Sequence, residues 1–318
     1  MAEDDRRDRR SAAARGRDVS RPSYSRRHQA GSGSARSLLL TVLGEFVLPR
    51  GRPVWTSALL HVLGLLGVEE KSTRQSLARM AADGWLVAER AGRRVRWSLT
   101  GPGRELLSEG AERIYSFGGD GPAWDGRWVV LIVTVPESRR ELRHQLRTRL
   151  TWAGFGSPVP GVWISPHVAR EVEARQVVER LGLEAVAFSF NGPYGGIGSE
   201  RAMVEQAWHL GELATAYEGF LTDFAELPSG TPGEEPCDMV LLAQVRLVHE
   251  WRRFPMLDPR LPLELLPPDW IGVRAANLFN DLHQAWHQPA QNRWAELCAD
   301  EPGTEIGRGR SSSRTTGR

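Results

Sequence analysis

The chain has few cysteines and no long apolar run, and both absences limit what it can be. Among its 318 residues are 2 cysteines, Cys237 and Cys298, whose separation suggests neither a disulfide framework nor a metal motif. The most apolar stretch, residues 58–68, falls short of the ~20 residues that span a bilayer. The N-terminus lacks an apolar segment after its charged residues, unlike a secretory signal. We therefore expect a reduced, cytoplasmic protein without a membrane partner.

The net charge of the whole chain is small, but basic and acidic residues are concentrated in different segments. The formal net charge is only +2. Residues 71–104 carry eight basic and two acidic side chains, whereas residues 200–300 carry sixteen acidic and seven basic ones. Clustered Lys and Arg bind phosphate backbones because they release condensed counterions. We therefore expect the first segment to contact nucleic acid and the second to avoid it.

Residues 69–99 are predicted to form a helix followed by a β-hairpin. On a helical plot at about 100° per residue, Leu77 and Met80 share an apolar face, and the basic side chains lie opposite. After Gly84, which suits a helix end, two β-forming runs flank residues 91–94. A helix followed by a basic hairpin is typical of a winged helix-turn-helix.

The polar helix face and the hairpin supply the expected DNA contacts. An exposed Arg or Gln can reach base edges in the major groove. A single arginine here would be explained equally well as solvated surface, but the whole cluster favours DNA. The residues assigned to DNA binding are Lys71, Ser72, Thr73, Arg74, Gln75, Arg79, Arg93, Arg94 and Arg96. Two helix starts fit the sequence: a capping box of Ser72 and Gln75, or a start at Glu69.

The elements before and after this stretch complete a predicted domain at residues 35–118. Helical spacing of apolar residues predicts helices over 35–48 and 100–117, and a third helix with Thr56 as its N-cap. Residues 1–34 have the composition of a disordered basic arm, with nine arginines against five acids. That arm could touch DNA non-specifically or act only as a solubilising leader.

Two further domains and a tail are predicted after a linker at 118–122. Residues 123–191 show the order βαββαβ, beginning with a continuous apolar run typical of a strand buried on both faces, and predict a ferredoxin-like domain. The Gly-rich stretch 191–199 lacks a phosphate-loop pattern and is interpreted as an interdomain linker. Residues 199–300 are predicted to be helical, with long helices over 200–224 and 237–254, and 301–318 to be a disordered tail. The fold class is α+β.

The string LVHEWRRFPMLDPRLPLELLPPDWIG at residues 247–272 resembles the PaaX family of bacterial transcriptional regulators, as do RQSLARMAADGWL, AERIYSF and GVWISP. The resemblance implies a winged helix-turn-helix, a Cas2-like central domain and a C-terminal helical domain. It further implies a homodimer on palindromic double-stranded operator DNA, released by an aryl-CoA thioester such as phenylacetyl-CoA. By position, it places the recognition helix at 73–80 and the effector response near 249–253.

Candidate effector-binding residues lie in and beside this string. They are Arg246, His249, Trp251, Arg252 and Arg253. Guanidinium groups suit coenzyme A phosphates, but these arginines could equally pair with nearby carboxylates. Trp251 could form an aromatic wall or belong to the core. His249 and Glu250 lack the second histidine of a metal motif, and we interpret them as a buried pair that ties their helix to the Asp258–Pro259 turn.

These patterns predict a transcriptional regulator and not an enzyme. We interpret the chain as a repressor of phenylacetic acid catabolism genes, with no catalytic residues, no metal and no cofactor beyond the aryl-CoA effector. One alternative is a metal-dependent nuclease of the Cas2-like domain. It is disfavoured because the first central strand ends without an aspartate at 133–136, and Asp125 precedes that strand. The other alternative is a ligand-independent architectural DNA-binding protein.

Overall fold

The computed structural model describes residues 34–118, 123–225 and 238–299. The predictions for the basic arm up to residue 33, for the tail after 300 and for Cys237 lie outside these described residues, as does most of the linker at 118–122. Cys298 lies inside them and is half-buried.

Short helices and a small sheet form the N-terminal segment. Helix α1 (Ala35–Val42) continues into a π-helical turn (Leu43–Val47), and a two-residue strand, β1 (Val54–Trp55), leads into α2 (Thr56–Leu65). The sequence predicted Thr56 as the N-cap of α2, and this is wrong: Trp55 has the extended capping conformation, and Thr56 is the first helical residue. The Thr56 hydroxyl instead donates to the Val95 carbonyl at 2.9 Å.

The predicted helix and hairpin follow in that order. Helix α3 spans Glu70–Ala82, with Glu69 as N-cap and no side-chain capping bond, so the proposed Ser72–Gln75 capping box is wrong. Strands β2 (Leu86–Ala91) and β3 (Arg94–Leu99) pair antiparallel, and β1 pairs with the other edge of β3. Helix α4 (Gly101–Tyr115) closes the segment, with the Thr100 hydroxyl accepting from the Gly103 amide as its N-cap.

A four-stranded antiparallel sheet forms the centre of the chain. Its elements, in sequence order, are β4 (Arg127–Val133), α5 (Arg140–Trp152), β5 (Gly156–Val159), β6 (Val162–Ser165), α6 (Glu171–Arg180) and β7 (Ala187–Pro193). The spatial strand order is β5-β6-β4-β7, with every neighbouring pair antiparallel. This is the arrangement that the βαββαβ pattern predicts. A short 3₁₀ turn at Glu184–Val186 leads directly into the last strand.

The two faces of this sheet belong to two different hydrophobic cores. Val129, Leu131 and Val133 of β4 pack with α5 and α6, whereas Trp128 packs in a cluster formed mainly by the C-terminal helices. Successive side chains of a strand point to opposite faces. The prediction of a strand buried on both faces is therefore confirmed only in part: the face of Val129, Leu131 and Val133 is buried, whereas on the other face Trp128 is buried and Ile132 is 37% exposed.

The C-terminal segment is helical, but its helices are shorter than predicted. They are α7 (Glu200–Ala207), α8 (Leu210–Ala225), α9 (Asp238–Trp251), the single turn α10 (Phe254–Leu257) and α11 (Ile271–Ala299). The predicted helix 200–224 is broken at Trp208, which is extended (φ −125°, ψ 133°). Its ring is buried and packs so closely on Gly156 that a Cβ there would lie 2.5 Å from it. This tertiary contact overrides the helical periodicity.

The Gly-rich stretch 191–199 is only partly a linker. Residues 191–193 belong to β7, where Asn191 pairs with Val129 and Pro193 with Arg127. Within the described ranges, no helix is both long and apolar enough to cross a membrane.

The N- and C-terminal helices share one hydrophobic core. Leu241 and Val245 of α9 and Ala290 and Trp294 of α11 are buried in the cluster that contains the apolar side chains of α1, α2 and α3. The ring of Trp294 stacks on Phe46 with centroids 5.3 Å apart. The segments that the sequence pattern separates are thus packed together in the folded chain.

Two glycines of α4 differ in how closely they approach the rest of the protein, and substituting them tests the packing of this helix. A Cβ at Gly103 would lie 2.1 Å from the Trp85 carbonyl oxygen, whereas a Cβ at Gly110 meets nothing within 4 Å. We expect Gly110→Ala to raise the free energy of unfolding by about 0.5–1 kcal/mol, because alanine favours a helix over glycine.

We expect Gly103→Ala to lower the free energy of unfolding by about 2 kcal/mol, because displacing backbone outweighs the gain in helix propensity. Urea unfolding of the two variants beside the parent protein measures both changes. Equal stabilisation by both substitutions would contradict the close approach of α4 to Trp85.

Candidate nucleic-acid interface

Helix α3 presents one basic face to solvent. Lys71, Arg74, Gln75 and Arg79 are exposed, and Ser72 is half-buried beside them. We call these five residues the basic face. The opposite side of the helix, including Leu77 and Met80, is fully buried against α1 and α2. The helix is thus fixed by its apolar side and leaves its polar side accessible.

Thr73 is not part of the basic face. It is fully buried, and its hydroxyl donates to the Glu69 carbonyl at 3.3 Å within the first turn of α3. The assignment of Thr73 to DNA contact is therefore wrong for this fold, because its side chain lies on the packed side of the helix. On the helical plot Thr73 lies beside Leu77, and this position correctly indicates that its side chain is buried.

Two of the predicted DNA-binding arginines make ion pairs on the surface. Arg74 Nε donates to Glu70 at 2.7 Å, one helical turn earlier, and Arg96 Nε donates to Glu89 across the hairpin at 2.9 Å. The Arg96 hydrogen bond lowers the pKa of Glu89. Exposed pairs of this kind contribute little to stability and can exchange partners for a phosphate. Positive charge therefore stays available at both positions.

The hairpin projects two more arginines from a tight turn. Ala91 pairs with Arg94, so Gly92 and Arg93 form the tip, and Gly92 has φ +63°, a conformation that favours glycine. Arg93 and Arg94 are exposed.

Strand β3 of the hairpin is held to the first residue of α2 through the Thr56 hydroxyl group. The Trp97 indole donates to Thr56 Oγ1 at 2.9 Å, and Thr56 in turn donates to the Val95 carbonyl. The hairpin is thus held against α2, which also packs on α3.

His249 and Arg252, predicted to bind an effector, connect α9 to α1 instead. His249 Nδ1 lies 3.0 Å from Thr41 Oγ1, and the Arg252 guanidinium donates to Thr41 Oγ1 and to the Ser37 carbonyl at 2.8 Å each. Burial, together with the charges of Arg252 and Arg253, lowers the pKa of His249 from its usual 6.5 to about 4. The predicted tie from His249 to the turn at Asp258 is wrong.

Asp258 has other partners. It accepts from the Tyr217 hydroxyl at 2.7 Å and from the Arg260 amide at 2.6 Å. Burial raises the pKa of Asp258, and it also raises the pKa of Tyr217. This aspartate therefore holds its own turn against α8 without His249.

The remaining candidate effector residues have different surroundings from one another. Trp251 is fully buried and stacks on Phe279 with ring centroids 4.6 Å apart, so it is a core residue. Arg253 pairs with Glu250 at 3.3 Å, and Arg246 is exposed. These contacts favour the reading in which the arginines serve protein packing and ion pairing.

A buried carboxylate that the sequence analysis overlooked lies between the N- and C-terminal helices. Glu45, in the π-helical turn, is 4% exposed. Its Oε1 lies 3.2 Å from His283 Nε2 and 3.2 Å from His287 Nδ1, and it accepts from Gln244 Nε2 at 2.7 Å. The Tyr115 hydroxyl donates to Oε2. We call these five residues the Glu45 cluster.

Glu45 is held in its charged form. Burial acts to raise its pKa, but hydrogen bonds from His283, Tyr115 and Gln244 outweigh burial and lower the pKa to about 2. Two signals in the sequence could have indicated this cluster. One is a single carboxylate in the apolar stretch 38–48, and the other is the pair of histidines four residues apart on a helix. From the sequence we expected no metal site.

Three family models match the chain over most of its length. The PaaX-like protein model matches residues 34–103, the model of the PaaX protein central Cas2-like domain matches 121–204, and the model of the PaaX-like protein C-terminal domain matches 208–296. Together with the fold, they define a class of protein that mixes helices and sheets, with a Cas2-like domain between two other domains.

Two known proteins are similar over nearly the whole described chain. Transcriptional repressor PaaX of Escherichia coli strain K12 is 30% identical over 257 residues, which cover 79% of this chain and 80% of that one. This chain belongs to the PaaX family, which confirms the resemblance seen in the sequence. The structure of the uncharacterized protein Rv0674 from Mycobacterium tuberculosis aligns with a TM-score of 0.55 at 23% identity, covering 83% of this chain and 98% of that one. The latter likeness concerns the fold alone.

His249 predicts a specific pH dependence of stability. Its pKa is about 4 in the folded protein and 6.5 in the unfolded chain, so the unfolded chain binds a proton first as the pH falls. The folded state is therefore favoured by this group above pH 6.5, and that advantage is lost between pH 6.5 and about 4. We expect a loss of up to about 3 kcal/mol in the free energy of unfolding.

Urea unfolding across this pH range measures the effect. In His249→Gln, which can still donate to Thr41, the pH dependence between 6.5 and 4 should be flatter than in the parent protein. His144→Gln, at an exposed position on α5, is the matched control and should leave the dependence unchanged. Identical profiles for the parent protein and His249→Gln would show that His249 titrates normally.

Proposed function

We propose that this protein is a DNA-binding transcriptional repressor in which residues 35–118 form a winged helix-turn-helix. In this proposal α3 is the recognition helix and the β2–β3 hairpin is the wing. The observation that carries the proposal is the basic face of α3, held by a buried apolar side next to an arginine-tipped hairpin. The printed name of the Escherichia coli relative, a transcriptional repressor, supports it.

The dimensions of this unit fit duplex DNA. A helix of 13 residues is about 20 Å long, and a helix can enter the major groove, which is about 12 Å wide. Arg74, Gln75 and Arg79 would lie toward base edges. Lys71 at the start of the helix and Arg93 at the hairpin tip would meet phosphates on either side. Base contacts specify a sequence, and phosphate contacts fix the register.

We propose further that the protein binds its operator as a homodimer and is released by an aryl-CoA such as phenylacetyl-CoA. An effector would favour a conformation in which the two basic faces no longer match half-sites about one helical turn apart. The shared core supports such coupling, because a movement of α9 or α11 necessarily moves side chains that pack on α1 and α3. Repression of phenylacetic acid catabolism genes is the corresponding biological role.

A surface cavity offers a place for the aryl group. It is a partly open groove of about 280 Å³ between the central sheet and α7, and its walls include Trp128, Phe190, Tyr194 and Met203. Apolar cavities with aromatic walls suit aryl ligands, and a cavity of about 150 Å³ already accepts benzene. His249 and Arg252, by contrast, are engaged in contacts with α1.

A regulatory role accounts for the chain better than a nuclease built on the central sheet. Hydrolysis with paired metals needs carboxylates that converge on one phosphate. Strand β4 ends at Val133 without a carboxylate, and Asp125 instead accepts from the Arg127 amide at 3.0 Å at the start of the strand. In the described part of the chain, the histidine and carboxylate group with metal-ligand spacing lies at Glu45, away from this sheet.

The basic face can be tested by substitution. We expect the triple variant Arg74→Ala, Gln75→Ala and Arg79→Ala to lower affinity for specific DNA by at least about 100-fold, because each base contact contributes about 1–3 kcal/mol. The DNA is a duplex selected from a random-sequence pool by the parent protein, and affinity is measured by fluorescence anisotropy at fixed salt.

A control variant removes equal charge elsewhere. Arg147→Ala with Arg149→Ala removes two exposed arginines from α5 and should leave operator affinity within about 3-fold. If the triple variant still selects the same duplex with unchanged affinity, α3 is not the recognition helix.

The effector can be tested with the same duplex. We expect saturating phenylacetyl-CoA to lower operator affinity by about 10-fold or more, within the usual range of allosteric coupling. Free coenzyme A and phenylacetate serve as controls and should each have a smaller effect. Met203→Trp fills the cavity beside Trp128 and should remove the response while keeping DNA binding. Unchanged operator affinity at saturating phenylacetyl-CoA would exclude this effector.

A further inference from the structure

The Glu45 cluster has the composition and spacing of a metal site. His283 and His287 are four residues apart on α11 and therefore project from the same side of the helix. Glu45 comes from the opposite end of the sequence. The three ligand atoms, one from each side chain, all lie within 4.8 Å of one another. Two imidazoles and one carboxylate are a donor set that Zn²⁺ prefers.

The measured distances agree with a shared ion. With metal–ligand bonds of about 2.0–2.1 Å, two ligands of a tetrahedral zinc lie about 3.3 Å apart. Glu45 Oε1 is 3.2 Å from His283 Nε2 and 3.2 Å from His287 Nδ1. These contacts are long for charge-assisted hydrogen bonds, which are about 2.7–2.9 Å.

Hydrogen bonding alone accounts poorly for this arrangement. Gln244 also donates to Glu45 Oε1, so three donors would converge on an oxygen with two lone pairs. The Glu45 side chain is only 2% exposed, and its ion-pair partners among the described residues, His283 and His287, carry a positive charge only when protonated. A buried carboxylate needs a compensating charge. A divalent cation between the three side chains would supply that charge and relieve the crowding.

Hydrogen bonds fix the orientation of Glu45, as they usually do for a side chain that binds a metal ion. The Tyr115 hydroxyl donates to Oε2, and Gln291 donates to the Glu45 backbone carbonyl at 2.8 Å. Hydrogen bonds to a metal-binding side chain orient that side chain and tune its affinity for the metal. Glu45 also lies in a π-helical turn, a distortion that occurs often at functional sites. The His287 side chain is 42% exposed, which gives an ion access from solvent.

We propose that Glu45, His283 and His287 bind one divalent transition-metal ion, with Zn²⁺ the best match, and that a solvent molecule completes the coordination. The ion would join the π-helical turn after α1 to α11, and so would fix the C-terminal helix against the N-terminal helices. Binding requires each imidazole to offer the metal the lone pair of the nitrogen that faces Glu45.

The test uses the full chain after removal of metal with a chelator. Calorimetric titration with ZnCl₂ should show one ion per chain, and titration with CoCl₂ should produce the visible absorption of a four-coordinate cobalt ion. His287→Ala, which removes the most exposed ligand, should weaken zinc affinity at least about 10-fold, and His283→Ala should do the same. The control, His144→Ala, removes an exposed histidine of α5 and should bind zinc like the parent protein.

Folding of each variant is checked independently by circular dichroism and thermal unfolding without metal. A His287→Ala protein that remains folded and binds zinc as tightly as the parent overturns the proposal, because the ion is then elsewhere. So does a parent protein that binds no stoichiometric zinc, or one whose cobalt spectrum shows only six-coordinate ion. Either result would make the Glu45 cluster a hydrogen-bond network alone. Because no DNA is present, this outcome is independent of the proposed repressor function.

Discussion

Burial of α9 and α11 against the N-terminal helices is the interaction on which the rest of the structure depends. Leu241, Val245 and Ala290 are fully buried in the same cluster as Phe46, and Trp294 stacks on Phe46. The hydrophobic effect favours this contact because it removes large apolar surface from water. As a result, the basic face of α3 is positioned partly by side chains some 200 residues later in the sequence.

Polar groups inside this apolar contact determine how the helices dock. Glu45, Thr41 and Gln244 are buried, and each lies opposite a partner from another part of the chain. A buried polar group without a partner costs free energy, so a shifted docking of α9 or α11 would lose these bonds. The apolar surface thus supplies the driving force, while the polar pairs at Glu45 and Thr41 select one arrangement.

Much of the local structure could be predicted from the sequence, and most of what was missed depends on contacts between distant residues. The helix predicted at the start of residues 69–99 is observed at Glu70–Ala82, and the βαββαβ order is confirmed, because periodicity and turn residues are local properties. The helix break at Trp208 and the partners of His249 depend on packing against elements far away in sequence. Thr73 is different, since its buried side follows from the helical plot itself.

The shared core also bears on evolution and engineering of this chain. Cutting after residue 118 would remove Trp294 from Phe46 and expose the apolar surface that α9 and α11 cover. The N-terminal segment therefore does not behave as a portable cassette that can be grafted onto another receptor with its stability intact. A chimaera that replaces one end of the chain would therefore need matching apolar residues at the other end.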